Sequence, residues 1–146
     1  MNQPHRSDNP FPGLRSFTQE EDYLFFGREE QTMDLLQTLA THRFVAVVGP
    51  SGSGKSSLVR CGLLSHLLGG KMIQAGTVWE VAVTHPGASP LGHLAESLLE
   101  ADLHDAGEED AKARLLATLN RSHVGLVEAI RQARLGDGVN LLLVVD

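Results

Sequence analysis

Apolar residues change their spacing several times along this chain, and each change predicts an element. Met33, Leu36, Leu39 and Ala40 recur at the three- and four-residue intervals of a helical face. They predict a first helix from Arg28 to about His42, with Glu29 and Glu30 in the first turn, where the helix dipole favours acids. Phe44-Val45-Ala46-Val47-Val48 then forms a short unbroken apolar run, the pattern of a parallel strand buried on both faces. The glycine-rich residues 49–54 interrupt it. A second helix is predicted over about 55–68, burying Leu58, Val59, Leu63, Leu64, Leu67 and Leu68, and Gly69-Gly70 stops it. Residues 77–83 read as another strand, closed by the turn His85-Pro86-Gly87. Three helical stretches follow near 90–103, 109–120 and 123–135. Residues 139–145 form a last buried strand, with Asp146 behind it.

Strands separated by helices predict an α/β fold around a parallel sheet, with no internal repeat. Pro4, Pro10, Pro12 and Gly13 disfavour both helix and ladder pairing, so residues 1–22 read as a lead-in to a domain at 23–146. The 146 residues are enough for one domain, and 42% hydrophobic with 21% charged residues argues against disorder. A net charge of −6 argues against a surface built mainly for nucleic acid or anionic lipid. No apolar run reaches the roughly 18–20 residues that span a bilayer, and the N-terminus has no signal-peptide core. Cys61 is the single cysteine, so no internal disulfide forms. A soluble, cytoplasmic protein without a membrane partner is expected. The seven histidines offer no tight ligand pair, since His85 and His93, or His104 and His123, are too widely spaced. Cys61 reads as a small buried side chain, and Glu108-Glu109-Asp110 as the solvated start of a helix.

The interruption after the first apolar run carries the chemistry. Gly49-Pro50-Ser51-Gly52-Ser53-Gly54-Lys55-Ser56 satisfies G-x-x-x-x-G-K-[ST] at every defined position, between a predicted strand and a predicted helix. A triphosphate is a chain of anions, best held by backbone N–H groups converging from a tight turn. Glycines let that backbone approach closely. Lys55 supplies a mobile charge for the β- and γ-phosphates, and Ser56 offers a hydroxyl to Mg²⁺. Ser57, next in line, is counted with the phosphate-binding set. Asp146 ends an apolar strand at the sheet edge where ligands of parallel sheets collect, so it is the expected second Mg²⁺ residue. A bland reading also exists, because a buried strand commonly ends in something polar. Hydrolysis further needs a group to orient water. Glu80 and Glu128 lie upstream, but no spacing selects either, and no catalytic residue is assigned.

Several segments together resemble one family, the novel STAND NTPase domain of bacterial multidomain signalling proteins. They are Asn9-Pro10-Phe11-Pro12-Gly13-Leu14-Arg15-Ser16-Phe17, Phe25-Phe26-Gly27-Arg28-Glu29, the 44–48 run with its loop, and Ser57-Leu58-Val59-Arg60. His85-Pro86-Gly87 with Pro90-Leu91 and the closing residues 141–146 complete the set. The resemblance implies a P-loop NTPase fold related to AAA+ enzymes, a three-layer α/β/α arrangement around a parallel sheet. It implies ATP and Mg²⁺ as cofactors, and a switch in which nucleotide exchange and hydrolysis control assembly with itself or with other signalling domains. It also places Phe26, Gly27 and Arg28 beside the adenine. Family members continue past the acid with a catalytic carboxylate, further strands and a helical lid. The fold expected for residues 1–146 is therefore incomplete on its C-terminal side, with a strand lacking between the loop strand and the Asp146 strand.

Two other readings stay open. One is a different P-loop enzyme, such as a transporter ATPase or a nucleotide kinase. The first should carry an LSGGQ-like signature before the acidic strand, and residues 57–140 contain none; the second should show a basic cluster after the first helix, and none is present. The other is a non-hydrolysing nucleotide-binding or interaction module.

Overall fold

The structure is a computed structural model, and it describes residues 17, 21, 24–69, 78–107 and 110–146. The chain divides into two compact units, Met1–Ala75 and Gly76–Asp146. Most of the lead-in expected over 1–22 lies outside the described residues, as do Gly70 and Thr77.

In the first unit, helix α1 (Glu29–Thr41) packs against helix α2, which winds through three consecutive segments, Lys55–Ser57, Leu58–Leu64 and Ser65–Leu68. Glu29 and Glu30 do occupy the first turn of α1. The buried face of α1 is Thr32, Leu35 and Leu36, with Leu39 half-buried; Met33 and Ala40 are exposed. That corrects the predicted stripe. Positions 32, 35, 36 and 39 have the same helical spacing, and the choice falls to them because Thr32 meets the small Gly62 of α2.

The middle segment of α2 is a π-helix, with bonds from residue i to i+5. Its wider turn shifts the inward face out of the 3.6-residue phase. Cys61, Gly62, Leu63, Leu64 and Leu67 are buried, Leu58 and Val59 only half so, and Leu68 is exposed.

The strand predicted at 44–48 does not form. Among the described residues this segment joins no ladder, and Phe44 and Val48 are 85% and 87% exposed. The physical reason is that a strand is stabilised by a neighbour's hydrogen bonds, which composition cannot supply. The two strands described pair with each other instead.

Those strands form the second unit's sheet. β1 (Val78–Thr84) and β2 (Val139–Val145) run parallel, in register from Val78↔Val139 to Thr84↔Val145. The crossover between them carries α3 (Pro90–Glu100), α4 (Ala111–Arg121) and α5 (Gly125–Gln132). Parallel strands need such a connection, and three amphipathic helices make it. Pro90 sits at the start of α3, where its missing N–H has no helical acceptor to lose. Ala82 of β1 and Leu141 and Leu143 of β2 share one sheet face and pack against Leu94, Ala95, Leu98, Leu103, Leu115, Leu119 and Ala129. β2 is only half-buried where full burial was expected, because these helices cover one face; Val81, Val83, Leu142 and Val144 line the other. The architecture is α/β with a two-stranded parallel sheet, a partial P-loop NTPase-like fold.

Candidate functional site

Each unit contributes one group of the residues singled out above. In the first, residues 49–54 make the turn that leads into α2. Gly52 and Gly54 have φ of 75° and 82°, left-handed values that favour glycine, and the turn is closed by Ser53 N–H donating to the Pro50 carbonyl at 3.3 Å. The loop runs directly into the helix, since Leu58 N–H donates to the Gly54 carbonyl at 2.8 Å. Lys55 folds back along it. Its Nζ donates to the carbonyls of Gly49 at 3.0 Å and Pro50 at 2.9 Å, which places the ammonium against the rim of the loop.

Ser56 lies in the first turn of α2, half-buried. Ser57 is turned elsewhere. It is 7% exposed, and its Oγ accepts a hydrogen bond from the backbone N–H of Phe17 at 3.2 Å, while the Phe17 ring meets Phe25 edge-on at 6.0 Å. The serine thus ties the helix to the lead-in.

The turn before α1 comes to the same loop. Phe26 is 75% exposed. Gly27 N–H donates to Oε1 of Glu29 at 3.0 Å, and backbone hydrogen bonds from Glu29 and Gly27 hold that carboxyl below the usual range. Arg28 reaches across 25 residues, its Nη2 donating to the Ser53 carbonyl at 3.3 Å. The Phe26-Gly27-Arg28 turn and the glycine-rich loop are therefore neighbours.

In the second unit, Asp146 is exposed at the C-terminal end of β2. Its backbone N–H donates to the Thr84 carbonyl at 3.1 Å, extending the ladder by one bond. Nδ1 of His85 donates to its backbone oxygen at 3.0 Å. The loop after β1 is pinned in turn by Nδ1 of His93, which lies 2.9 Å from the carbonyl of His85 and 3.0 Å from that of Pro86. The hydroxyl of Thr84 is buried with no hydrogen-bond partner among the described residues. Thr84, His85 and Asp146 thus gather at the edge where both strands end. Sequence reading missed the first two. His85-Pro86-Gly87 signals a turn, and only the pairing of β1 with β2 shows what the turn stands beside.

Neither upstream acid joins this edge. Glu80 pairs in register with Leu141, four positions before the strand end, and Glu128 on α5 is 3.7 Å from Arg121. A cavity of about 460 Å³ in this unit, lined by His104, Asp105, Arg114, Thr118 and Arg121 among others, contains none of the expected site residues.

A glycine-turned loop opening a helix, with a lysine over its rim, is the architecture of one large class of nucleotide-binding proteins. The family model described as Novel STAND NTPase 1 matches residues 10–146. The chain belongs to this family. As a member it is a nucleotide-binding P-loop NTPase domain. It is also similar to the Arginine transport ATP-binding protein ArtM of Bacillus subtilis (strain 168), with 39% identity over 67 residues. That stretch is 45% of this chain and 26% of the ArtM protein, so the match spans about a quarter of that relative. No solved structure matches the chain. Among the described residues, no helix is long and apolar enough to cross a membrane.

Proposed function

We propose that this chain is the ATP–Mg²⁺ binding core of a STAND-type signalling NTPase, acting in the cytoplasm. In this reading nucleotide binding and hydrolysis switch its assembly with itself or with other signalling domains. One observation carries it: the loop at 49–54 turns through two left-handed glycines straight into α2, with Lys55 Nζ lying along its rim. Backbone N–H groups at such a helix start favour a polyphosphate, and the ammonium adds a charge that moves with it.

Gly49, Pro50, Ser51, Gly52, Ser53, Gly54 and Lys55 would hold the phosphates. Ser57 would act from behind, since its hydroxyl is engaged with Phe17. The base would lie by Phe26, Gly27 and Arg28, where the exposed Phe26 ring offers a stacking face. Mg²⁺ takes hard oxygen donors and keeps several waters, so a hydroxyl and a carboxylate suit it. In this reading Ser56 would offer the hydroxyl and Asp146 the carboxylate, and the ion would neutralise charge on the phosphate oxygens. The edge at Asp146 carries its own positioning group, His85, which fixes the backbone next to the carboxylate.

The ArtM likeness favours one other P-loop reading, a transporter ATPase, but residues 57–140 lack an LSGGQ-like segment. The deciding experiment is calorimetric titration of the protein and of Lys55→Ala with ATP and magnesium. Lys55→Ala is expected to lower affinity at least tenfold with the circular dichroism spectrum unchanged, because it removes a charged hydrogen-bonding group. Equal binding by the two proteins would reject the assignment.

A further inference from the structure

Charge is unevenly spread along this acidic chain. Residues 111–134, running through α4 and α5, hold Lys112, Arg114, Arg121, Arg131 and Arg134 of its 12 Lys and Arg, but only Glu128 of its 18 acids. Two of those arginines line the cavity of about 460 Å³ in the second unit, a volume within the roughly 300–1,000 Å³ of small-molecule sites. Arg114 and Arg121 stand two turns apart on one face of α4, separated by about 10 Å of helical rise. The same lining is apolar at Ala111 and at Leu115, which is rooted in the core, and Gln132 at the end of α5 adds an amide. The surroundings are held in shape, since Arg134 N–H donates to the Leu103 carbonyl at 2.8 Å and ties the exit of α5 to the bend before α4. Asp105, an acid in the lining, is already engaged: its oxygens accept from Gly107 N–H at 3.0 Å and from Arg134 Nη2 at 2.7 Å. Arg121 lies 3.7 Å from Glu128, too far for a hydrogen bond, so this ion pair leaves guanidinium donors to other acceptors.

We propose that this cavity binds a small organic dicarboxylate, with one carboxylate on Arg114, the other on Arg121, and the carbon chain against Ala111 and Leu115. The site lies outside the 49–57 loop, and the inference does not depend on the nucleotide-binding reading. Its chemistry follows from the lining. A guanidinium presents two parallel N–H donors to a carboxylate, and such charged hydrogen bonds are roughly twice as strong as neutral ones. Two arginines on one helix face therefore select a molecule with an acid at each end, and flexible arginine stems adjust the span. The apolar positions between suit methylenes and give nothing to a hydroxylated body. Charge sets the class as well. Two cations beside one acid already paired with Arg134 match the two charges of a dicarboxylate, whereas a bisphosphate would bring three or four.

The test uses three probes of one length: adipate with two carboxylates, hexanoate with one, and the neutral adipamide. Each is titrated calorimetrically into the full chain at matched ionic strength. Adipate is expected to bind one to one, hexanoate about tenfold or more weakly, and adipamide not at all. Arg114→Gln and Arg121→Gln should each weaken adipate by about tenfold or more and narrow its advantage over hexanoate. Lys112→Gln is the control for general attraction. Lys112 sits on the same helix but pairs with Glu96 and does not line the cavity, so adipate should bind this variant as it binds the parent. Absence of adipate binding to the unaltered protein would overturn the proposal, and so would equal affinity for adipate and hexanoate. Losses in Lys112→Gln as large as those in Arg114→Gln would assign the attraction to the charge of the helix and overturn it too. Arg114 and Arg121 are exposed, so both variants are expected to fold, and circular dichroism checks this. Should Arg121→Gln unfold because Glu128 loses its partner, Arg114→Gln carries the comparison alone. A parallel titration with ATP and magnesium keeps the two readings apart, since either ligand can bind without the other.

Discussion

Asp102 carries a φ of 56°, a left-handed conformation that costs an L-residue roughly 1–2 kcal/mol, less for Asp and Asn than for most. Its neighbours explain why it stays there. Leu103 N–H donates to the Leu98 carbonyl at 3.2 Å and Asp102 N–H to that of Leu99 at 3.0 Å, the paired bonds of a Schellman motif that ends α3. The motif also buries Leu103, at 1% exposure, against the core that holds Leu98. The strain at one residue thus fixes the exit of a helix and the seat of a core leucine. Asp102→Gly is expected to raise stability by up to about 1 kcal/mol, since glycine adopts this conformation without strain. Urea denaturation reads it directly, and a lowered midpoint would show that the aspartate makes a compensating contact.

The contact of α1 with α2 depends on a missing side chain. A Cβ on Gly62 would lie 2.5 Å from Oγ1 and 3.3 Å from Cγ2 of Thr32, and both residues are buried. Gly62→Ala is therefore expected to destabilise the protein by about 1–3 kcal/mol, the usual cost of overfilling a packed contact. Adding Thr32→Ala removes both offending atoms and leaves the Thr32 Cβ position, 3.4 Å away, so the double variant should recover most of the loss. Additive losses in the double variant would mean that the two positions do not meet. This contact also shows where legibility in the sequence stops. α1, α3, α4, α5 and β2 were readable from spacing and punctuation, because first-turn acids, Pro90 and apolar runs act over a few residues. The phase of α1 was not, since it is chosen by Gly62, thirty positions away from Thr32. Neither was the π winding of α2, nor the failure of 44–48 to pair, which depends on a neighbouring strand. The site divides the same way. The loop residues and Asp146 announce themselves by motif, whereas Arg28 on Ser53 and His85 on Asp146 join residues 25 and 61 apart.

Across the molecule, acids outnumber bases 18 to 12, and two neighbouring groups whose titration folding alters sit together in the bend between α3 and α4. Burial pushes the His104 imidazole below its ordinary 6.5, because a half-buried ring resists taking a charge. Asp105 is held below its ordinary 3.8 by the N–H of Gly107, then by the guanidinium of Arg134, whose Nη2 is 2.7 Å from Oδ2. Both folded values are depressed, so both groups bind protons more readily in the unfolded chain. Acid therefore favours unfolding at each, in separate windows. The contribution of His104 is fully present above about pH 6.5 and is lost as pH falls through its lower folded value; that of Asp105 is lost only below about pH 3.8. Denaturation midpoints measured from about pH 7.5 down to about pH 5 should fall, and His104→Gln should flatten that part of the curve. Asp105→Asn should lower the midpoint evenly across that interval without changing its slope, and alter the slope only in stronger acid. The net charge of −6 diminishes over this range, so general repulsion relaxes as the imidazole contribution is lost. The two effects have opposite signs, and only the first disappears in His104→Gln. A midpoint that rises with acid in the unaltered protein, and by the same amount in the variant, would assign the pH response to net charge and remove His104 from it.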